Sequence, residues 1–240
     1  MPAPPEPPAC YHFRMMLNER HAAPAKARRF LYLLEPLSFA VFVSWYIWRL
    51  QTAFPESWGV FPAWLIVSFV AHRDTPKTLG WRADNLFIAM RKAAPAFLAF
   101  TAALFVGGLL LGGLHRFPAR LLDAHHFWGY CAFCLLQQVA LNSFLSNRFL
   151  AAFQNPLTAA LASGLVFAAL HWPNPVLVPL TFIGGASMAW LFAEQRNILP
   201  LTLGQAVLGA LVWWAFPLAW HHGMRVGPGY YAFHQYYGAM

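Results

Sequence analysis

Three apolar stretches of this 240-residue chain each carry a polar stripe at helical spacing. Gln138, Asn142 and Ser146 stand at i, i+4 and i+8, on one face of an α-helix, and Gln137 sits about 100° around from them. Ser163, Phe167 and His171 repeat the spacing, and Thr202, Gln205 and Gly209 repeat it again. An unpartnered amide or imidazole is costly in hydrocarbon, so such stripes face a neighbouring helix or a water-filled cavity. Two chemistries fit. In one, the polar groups only hydrogen-bond between helices. In the other, they line a shared cavity where His171 acts as a base and the amides donate to a developing negative charge. Spacing alone leaves both open.

The other reactive residue types read as structural. His125-His126 and His221-His222 are pairs at the edges of apolar segments, with His115 and His234 elsewhere. Neighbouring histidines on a helix point about 100° apart and make a poor chelate, so no metal site is expected and these histidines are read as solvated at the membrane interface. Trp220, Tyr230, Tyr231, Tyr236 and Tyr237 read as an interfacial aromatic belt. Cys131 and Cys134 form a C-x-x-C inside an apolar helix and are read as two small buried side chains. No paired charges suggest ion-coupled transport.

The elements that must position the stripes follow from composition. Hydrophobic residues make up 59% and charged residues 10%, against about 25% charged in a soluble domain. Residues 1–92 hold 11 of the 16 Lys/Arg, and residues 149–193 carry no charge at all. This pattern excludes a soluble enzyme, a disulfide scaffold and a disordered chain, and it describes an all-α polytopic membrane protein. The net charge of +8 is read as membrane topology and attraction to anionic lipid, with no nucleic-acid partner. Seven spans in one bundle are expected: about Phe30–Trp48, Trp58–His72, Ala93–Leu114, Ala124–Asn147, Leu157–Trp172, Val176–Ala193 and Ile198–Trp220. An eighth arises only if Arg73–Lys92 inserts. That stretch otherwise suggests a short interfacial helix carrying Leu79, Trp81, Leu86, Phe87 and Met90. Residues 1–29 form a disordered Pro-rich and basic N-terminus, 30–220 the transmembrane domain, and 221–240 a His/Tyr/Gly-rich tail.

On these stripes the chain resembles the CPBP family, the type II CAAX prenyl endopeptidases with their bacteriocin-processing and immunity relatives. The family's first motif, Glu-Glu-x-x-x-Arg, corresponds to Gln137-Gln138-Val139-Ala140-Leu141-Asn142. Its second, Phe-x-x-x-His, is matched in full by Phe167-Ala168-Ala169-Leu170-His171. Its third, a Leu-Trp-Pro segment followed by His and then Asn, corresponds to Ile198-Leu199-Pro200 with Gln205 and Gly209. Phe182, Gly185, Ala189, Trp190 and the turn 194–197 fit the helix between the last two motifs. Thr78-Leu79-Gly80-Trp81-Arg82 resembles a stretch that often precedes the core. The resemblance covers about residues 76–210.

The resemblance implies a metal-independent and cofactor-free intramembrane peptidase acting on membrane-associated or prenylated peptides. It places the water-activating groups at positions 137, 138 and 171 and the oxyanion donors at 205 and 209, with Asn142, Phe167 and Gly209 lining the substrate cavity. At those positions the chain departs from the pattern. Gln137 and Gln138 replace both carboxylates, and an amide does not titrate in the useful range. Asn142 replaces the arginine, Gln205 the histidine and Gly209 the asparagine. Two functions therefore stand: a diverged or inactive endopeptidase, and a non-catalytic membrane binding or immunity-type protein using the same cavity. A His-rich metal-dependent membrane oxidoreductase is the third.

The basic clusters at the N-terminus and in Arg73–Lys92 predict a bacterial inner-membrane protein with its N-terminus cytoplasmic. Reporter fusions after Lys92 and at Met240 check this. Seven spans put the first inside and the second outside, and a shared side for both termini refutes the count.

Overall fold

The computed structural model describes residues 25–113 and 124–233, with side chains from 29 to 113 and from 128 to 233. Residues 1–24, the loop with His115, Arg116, Arg120 and Asp123, the side chains of His125 and His126, and the tail from His234 onward lie outside the described residues. So do the first part of the expected disordered N-terminus and the last part of the expected tail.

The described residues are helical and contain no strand. Helix α1 is Ala25–Trp45, prolonged by a π-helical turn Tyr46–Leu50 and a last turn Gln51–Ala53. Then come α2 (Val60–Ala71), α3 (Pro76–Leu79), α4 (Leu86–Leu110) and α5 (Ala124–Gln138). A π-helix, Val139–Ser146, joins α5 without a break to α6 (Asn147–Phe153). Helices α7 (Pro156–Ala169), α8 (Leu177–Gln195), α9 (Leu199–Ala215), α10 (Leu218–His221) and α11 (Pro228–Tyr231) follow among the described residues.

Local sequence explains several boundaries. The Asn155 side chain accepts from Thr158 N at 3.0 Å and Pro156 follows at the first helical position, so α7 starts there. Pro217 drives Phe216 into an extended conformation (φ −98°, ψ 144°) and ends α9 at Ala215. The expected seventh span to Trp220 is thereby corrected. The chain bends by 118° between Leu199–Ala215 and Leu218–Met224. A second correction concerns the expected interfacial helix of Arg73–Lys92. Leu86, Phe87 and Met90 belong instead to the first turns of α4, which runs on past Arg91 and Lys92.

Arg29–Ala53, Leu86–Leu110 and Leu177–Gln195 are each long and apolar enough to cross a bilayer, and the bent pair makes a fourth if it is one broken span. Pro156–Ala169 is apolar but shorter. The chain is thus an all-helical integral membrane protein with three to four such helices among the described residues, where the sequence predicts seven spans. Outward-facing side chains such as Phe87, Val70 and Leu110 are apolar and exposed, as lipid contact requires.

The π-helix and α6 form the centre. Every residue from Leu141 to Ala152 is buried. Leu141, Phe144, Leu145 and Phe149 pack with Phe39 of α1, Leu65 of α2, Phe167 of α7 and Ala193 of α8. Around this axis α7 lies against α8, α9 against α4 and α5, and α1 against α6.

Arg148 brings a charge into that centre. Arg148, expected to close a span at the surface, is 3% exposed. Its Nη2 lies 2.7 Å from Asp74 Oδ2 and 2.8 Å from Ser68 Oγ, and its Nε lies 3.2 Å from Glu35 Oε2. His72 Nε2 contacts the same Glu35 oxygen at 2.9 Å. The cluster clamps α1, the end of α2 and α6 together. Replacing Arg148 by Met leaves two carboxylates without their cation, which costs about 3–5 kcal/mol. Glu35→Gln keeps a hydrogen-bond partner for His72 and loses less. Unfolding of the two variants in detergent checks the order, and equal losses contradict the clamp.

Candidate functional site

The end of α5 and the middle of α9 meet through amides. Gln205 Nε2 donates to Gln137 Oε1 at 2.6 Å, and Gln205 Oε1 accepts from Gln138 Nε2 at 2.6 Å. One α9 side chain therefore bridges two neighbours on α5 that point about 100° apart. From Gln138 the chain of bonds continues down the π-helix. Asn142 Nδ2 donates to Gln138 Oε1 at 2.5 Å, and Ser146 Oγ lies 3.1 Å from Asn142 Oδ1. Ser146 also reaches Ser163 Oγ on α7 at 3.1 Å, and Ser163 donates to Ala159 O of its own helix at 2.8 Å. Gln138, Asn142 and Ser163 are fully buried and none has an unsatisfied polar atom. The ladder carries no formal charge.

Neighbouring side chains close the space around it. Gln138 Nε2 also contacts Met188 Sδ of α8 at 3.0 Å. One turn beyond Gln205, a Cβ built on Gly209 would lie 1.9 Å from the Tyr130 hydroxyl oxygen. Tyr130 of α5 thus fills the place where a side chain at 209 would begin, and Gly209 is the residue that admits it. Cys131 and Cys134, beside Tyr130, are buried free thiols packed on Ala206.

His171 is hydrogen-bonded within its own helix. Its Nδ1 is 2.6 Å from the Phe167 carbonyl, four residues back, and its ring meets the Phe167 ring edge-on at 4.6 Å. No hydrogen bond joins it to Gln137, Gln138 or Gln205. The loop after it holds Asn174, fully buried, whose amide donates to His221 O at 2.7 Å and Arg225 O at 3.0 Å. The chain beyond α9 therefore folds back onto the His171 end. His221, expected to be solvated, is 1% exposed, because its turn is packed under Asn174. His222 stacks between Tyr230 (4.1 Å) and Phe233 (5.1 Å), so Tyr230 serves this stack as well as any interfacial belt, whereas Trp220 and Tyr231 are exposed. Among the described residues no group of three or more His, Cys, Asp or Glu is arranged to hold a metal.

At the opposite end the loop 78–85 is pinned under the ladder. Ser143 Oγ donates to Leu79 O at 2.5 Å, Asn147 Nδ2 to Thr78 O at 2.9 Å, and Asn197 Nδ2 to Arg82 O at 2.8 Å. Ile198 N donates to Gly80 O at 3.0 Å. Gly80 has φ +85°, and a Cβ there would lie 2.6 Å from Phe192, so both backbone and space demand glycine. Arg196 is buried and bonded to Asn147 Oδ1. Outside the membrane segments, the hydrogen bond from Arg82 holds the Asp84 carboxyl below the usual carboxylate range.

Residues 127–211 match the family described as type II CAAX prenyl endopeptidase, Rce1-like. Over these residues the chain is similar to the CPBP family. No curated protein and no solved structure matches it significantly. The matched segment runs from α5 to α9 and holds all three polar stripes. It begins later than the expected region of 76–210, so the pinned loop lies outside it. Within this CPBP segment the structure brings Gln137, Gln138, Asn142 and Gln205 into one hydrogen-bonded set. It leaves His171 and Phe167 bonded to each other.

The sequence reading missed Tyr130, Met188 and the Arg148 cluster. Glu35 carried a usable signal, since an ionisable residue six positions into an apolar run needs a buried partner. Nothing in the sequence marks Tyr130 or Met188 apart from other apolar helix residues. Gln138→Leu leaves Gln205 Oε1 and Asn142 Nδ2 unpartnered and should cost about 1–3 kcal/mol. Gly209→Asn should cost at least as much through its clash with Tyr130, and Tyr130→Ala should restore part of that loss. Melting of the single and double variants measures both. Additive losses for Gly209→Asn and Tyr130→Ala contradict the contact.

Proposed function

We propose that this chain is a CPBP-type membrane protein that holds a membrane-associated peptide or protein segment without glutamate-dependent proteolysis. The observation behind this reading is the amide bridge. Gln205 satisfies Gln137 and Gln138 together, where the family chemistry asks for a carboxylate that accepts a proton. Loss of a general base typically lowers a rate by about 10²–10⁴. The absent side chain at Gly209 and the tyrosine above it further support a site altered on its oxyanion side. The substrate class, prenylated or other membrane-anchored peptide, comes from the family alone. The seven-span arrangement, bacterial inner membrane and cytoplasmic N-terminus belong to this proposal, supported by the distribution of Lys and Arg.

A second reading keeps some hydrolysis with His171 as the base. It is favoured by the tie between His171 Nδ1 and the Phe167 carbonyl, which makes Nε2 the acceptor nitrogen.

Purified protein incubated with prenylated and unmodified peptides separates the two. The proposal expects binding without cleavage above background. Cleavage that is lost in a folded His171→Ala variant establishes the second reading. Gln137→Glu with Gln138→Glu should stay weak or silent, because the pair, of which Gln138 is fully buried, has Asn142 where the family has arginine. Adding Gln205→His, Gly209→Asn and Tyr130→Ala should raise the activity, since the last change makes room at 209. Full peptidase activity in the unaltered protein refutes the proposal outright.

A further inference from the structure

The amide ladder has a direction, and a sulfur atom sets it. Gln138 Nε2 lies 3.0 Å from Met188 Sδ, and a thioether can accept a hydrogen bond but has none to give. The group facing the sulfur is therefore the NH2, which leaves Gln138 Oε1 to accept from Asn142. The same NH2 donates to Gln205 Oε1, so Gln205 turns its own nitrogen toward Gln137 and donates to Gln137 Oε1. The oxygen of Gln137 is thus engaged, whereas its Nε2, with two N–H groups, donates to no other described residue. Gln137 is half-buried, while Gln138 beside it is fully buried. Phe133, one turn back, and Leu136 are exposed, so the spare donors border the outer side of α5. The helix runs without a break from Ala124 to Phe153, and Gln137 lies near its midpoint, about 20 Å from its start at 1.5 Å per residue.

Hydrocarbon offers no acceptor to an N–H group, and a bare donor there is costly. From these features we infer that Gln137 Nε2 binds a backbone carbonyl of a membrane-inserted peptide whose helix is interrupted by proline, and that Met188 is the positioning residue that turns the donor toward it. This assignment rests on the peptide-holding function proposed above and specifies what is held. Depth selects the ligand. Lipid ester carbonyls lie at the edges of a hydrocarbon layer about 30 Å thick, about 15 Å from the level of a mid-span residue. A regular helix is no ligand either, because its carbonyls are taken by its own N–H groups. A proline removes one such N–H and frees the carbonyl four residues before it. That carbonyl stands within the membrane and needs a donor from outside its own helix. Two N–H groups on one nitrogen, at the outer side of α5, supply it. With the ladder reversed, Gln137 would present its oxygen and repel the carbonyl, so the sulfur of Met188 decides which atom the ligand meets.

The test uses the full chain in lipid nanodiscs and a pair of membrane-spanning peptides that differ only in a central Pro or Leu. Each peptide carries a carbon-13 label on the carbonyl four residues before that position, and a prenylated peptide is the third ligand. A neutral hydrogen bond is worth about five-fold in affinity. The Pro peptide should therefore bind about five-fold more tightly than the Leu peptide, and its labelled carbonyl band should move to lower frequency on binding. Gln137→Met keeps the side-chain length and an acceptor for Gln205 but has no N–H, so it should abolish both the preference and the band shift. Met188→Leu leaves Gln137 in place and should weaken both, and a shift untouched by it overturns the positioning role. Equal binding of the Pro and Leu peptides to the unaltered protein overturns the inference without recourse to any variant. So does a preference that persists in folded Gln137→Met. If the prenylated peptide binds and neither spanning peptide does, the inference fails and the peptide-holding function stands. If no peptide of any kind binds, both fail.

Discussion

A polar group in a bilayer has no water to turn to, and the centre of this protein is organised by that constraint. Gln205 answers it for two residues at once, donating to Gln137 and accepting from Gln138. Because the two glutamines diverge around α5, one bridging amide fixes the rotation of α5 against α9 as well as their separation. The remaining groups pass the requirement along the π-helix through Asn142 and Ser146 to Ser163. Within the π-helix the Ser146 hydroxyl also donates to the Leu141 carbonyl at 2.9 Å.

Two further polar assemblies tie the periphery to that axis. The Arg148 cluster binds α1 and α2 to α6 by charge. The loop 78–85 is held by side-chain amides and hydroxyls that reach backbone carbonyls. Each uses residues on the central helix: Ser143 and Asn147 face the loop, whereas Arg148, one position on, faces α1 and α2. The three assemblies therefore radiate from one helix between Gln137 and Arg148. That helix is buried from Leu141 onward, and a change in its rotation would disturb all three.

The segment similar to the CPBP family contains this arrangement. Gln137, Gln138, Asn142 and Gln205 are hydrogen-bonded to one another and carry no formal charge. At these positions the chain holds amides in place of titratable groups. Tyr130 fills the room that any side chain at position 209 would need.

Much of this was legible in the sequence. The charge-free run 149–193 requires burial or lipid contact, and the i, i+4, i+8 stripes set which side chains share a face. Pro156 and Asn155 mark a helix start whatever packs around it. These are local or compositional effects, fixed by backbone geometry and by the cost of charge in hydrocarbon. The sequence could not say that Gln205 would stand between Gln137 and Gln138, or that His171 would turn to its own helix. Both depend on the relative height and rotation of helices far apart in the chain. Nor could it say that Arg148 lies inside the bundle, that His221 is buried beneath Asn174, or that α9 breaks where it does and folds back. An arginine at the end of an apolar run looks the same whether it meets headgroups or two carboxylates. Only the packing of α1 and α2 against α6 brings Glu35 and Asp74 within reach and decides between them.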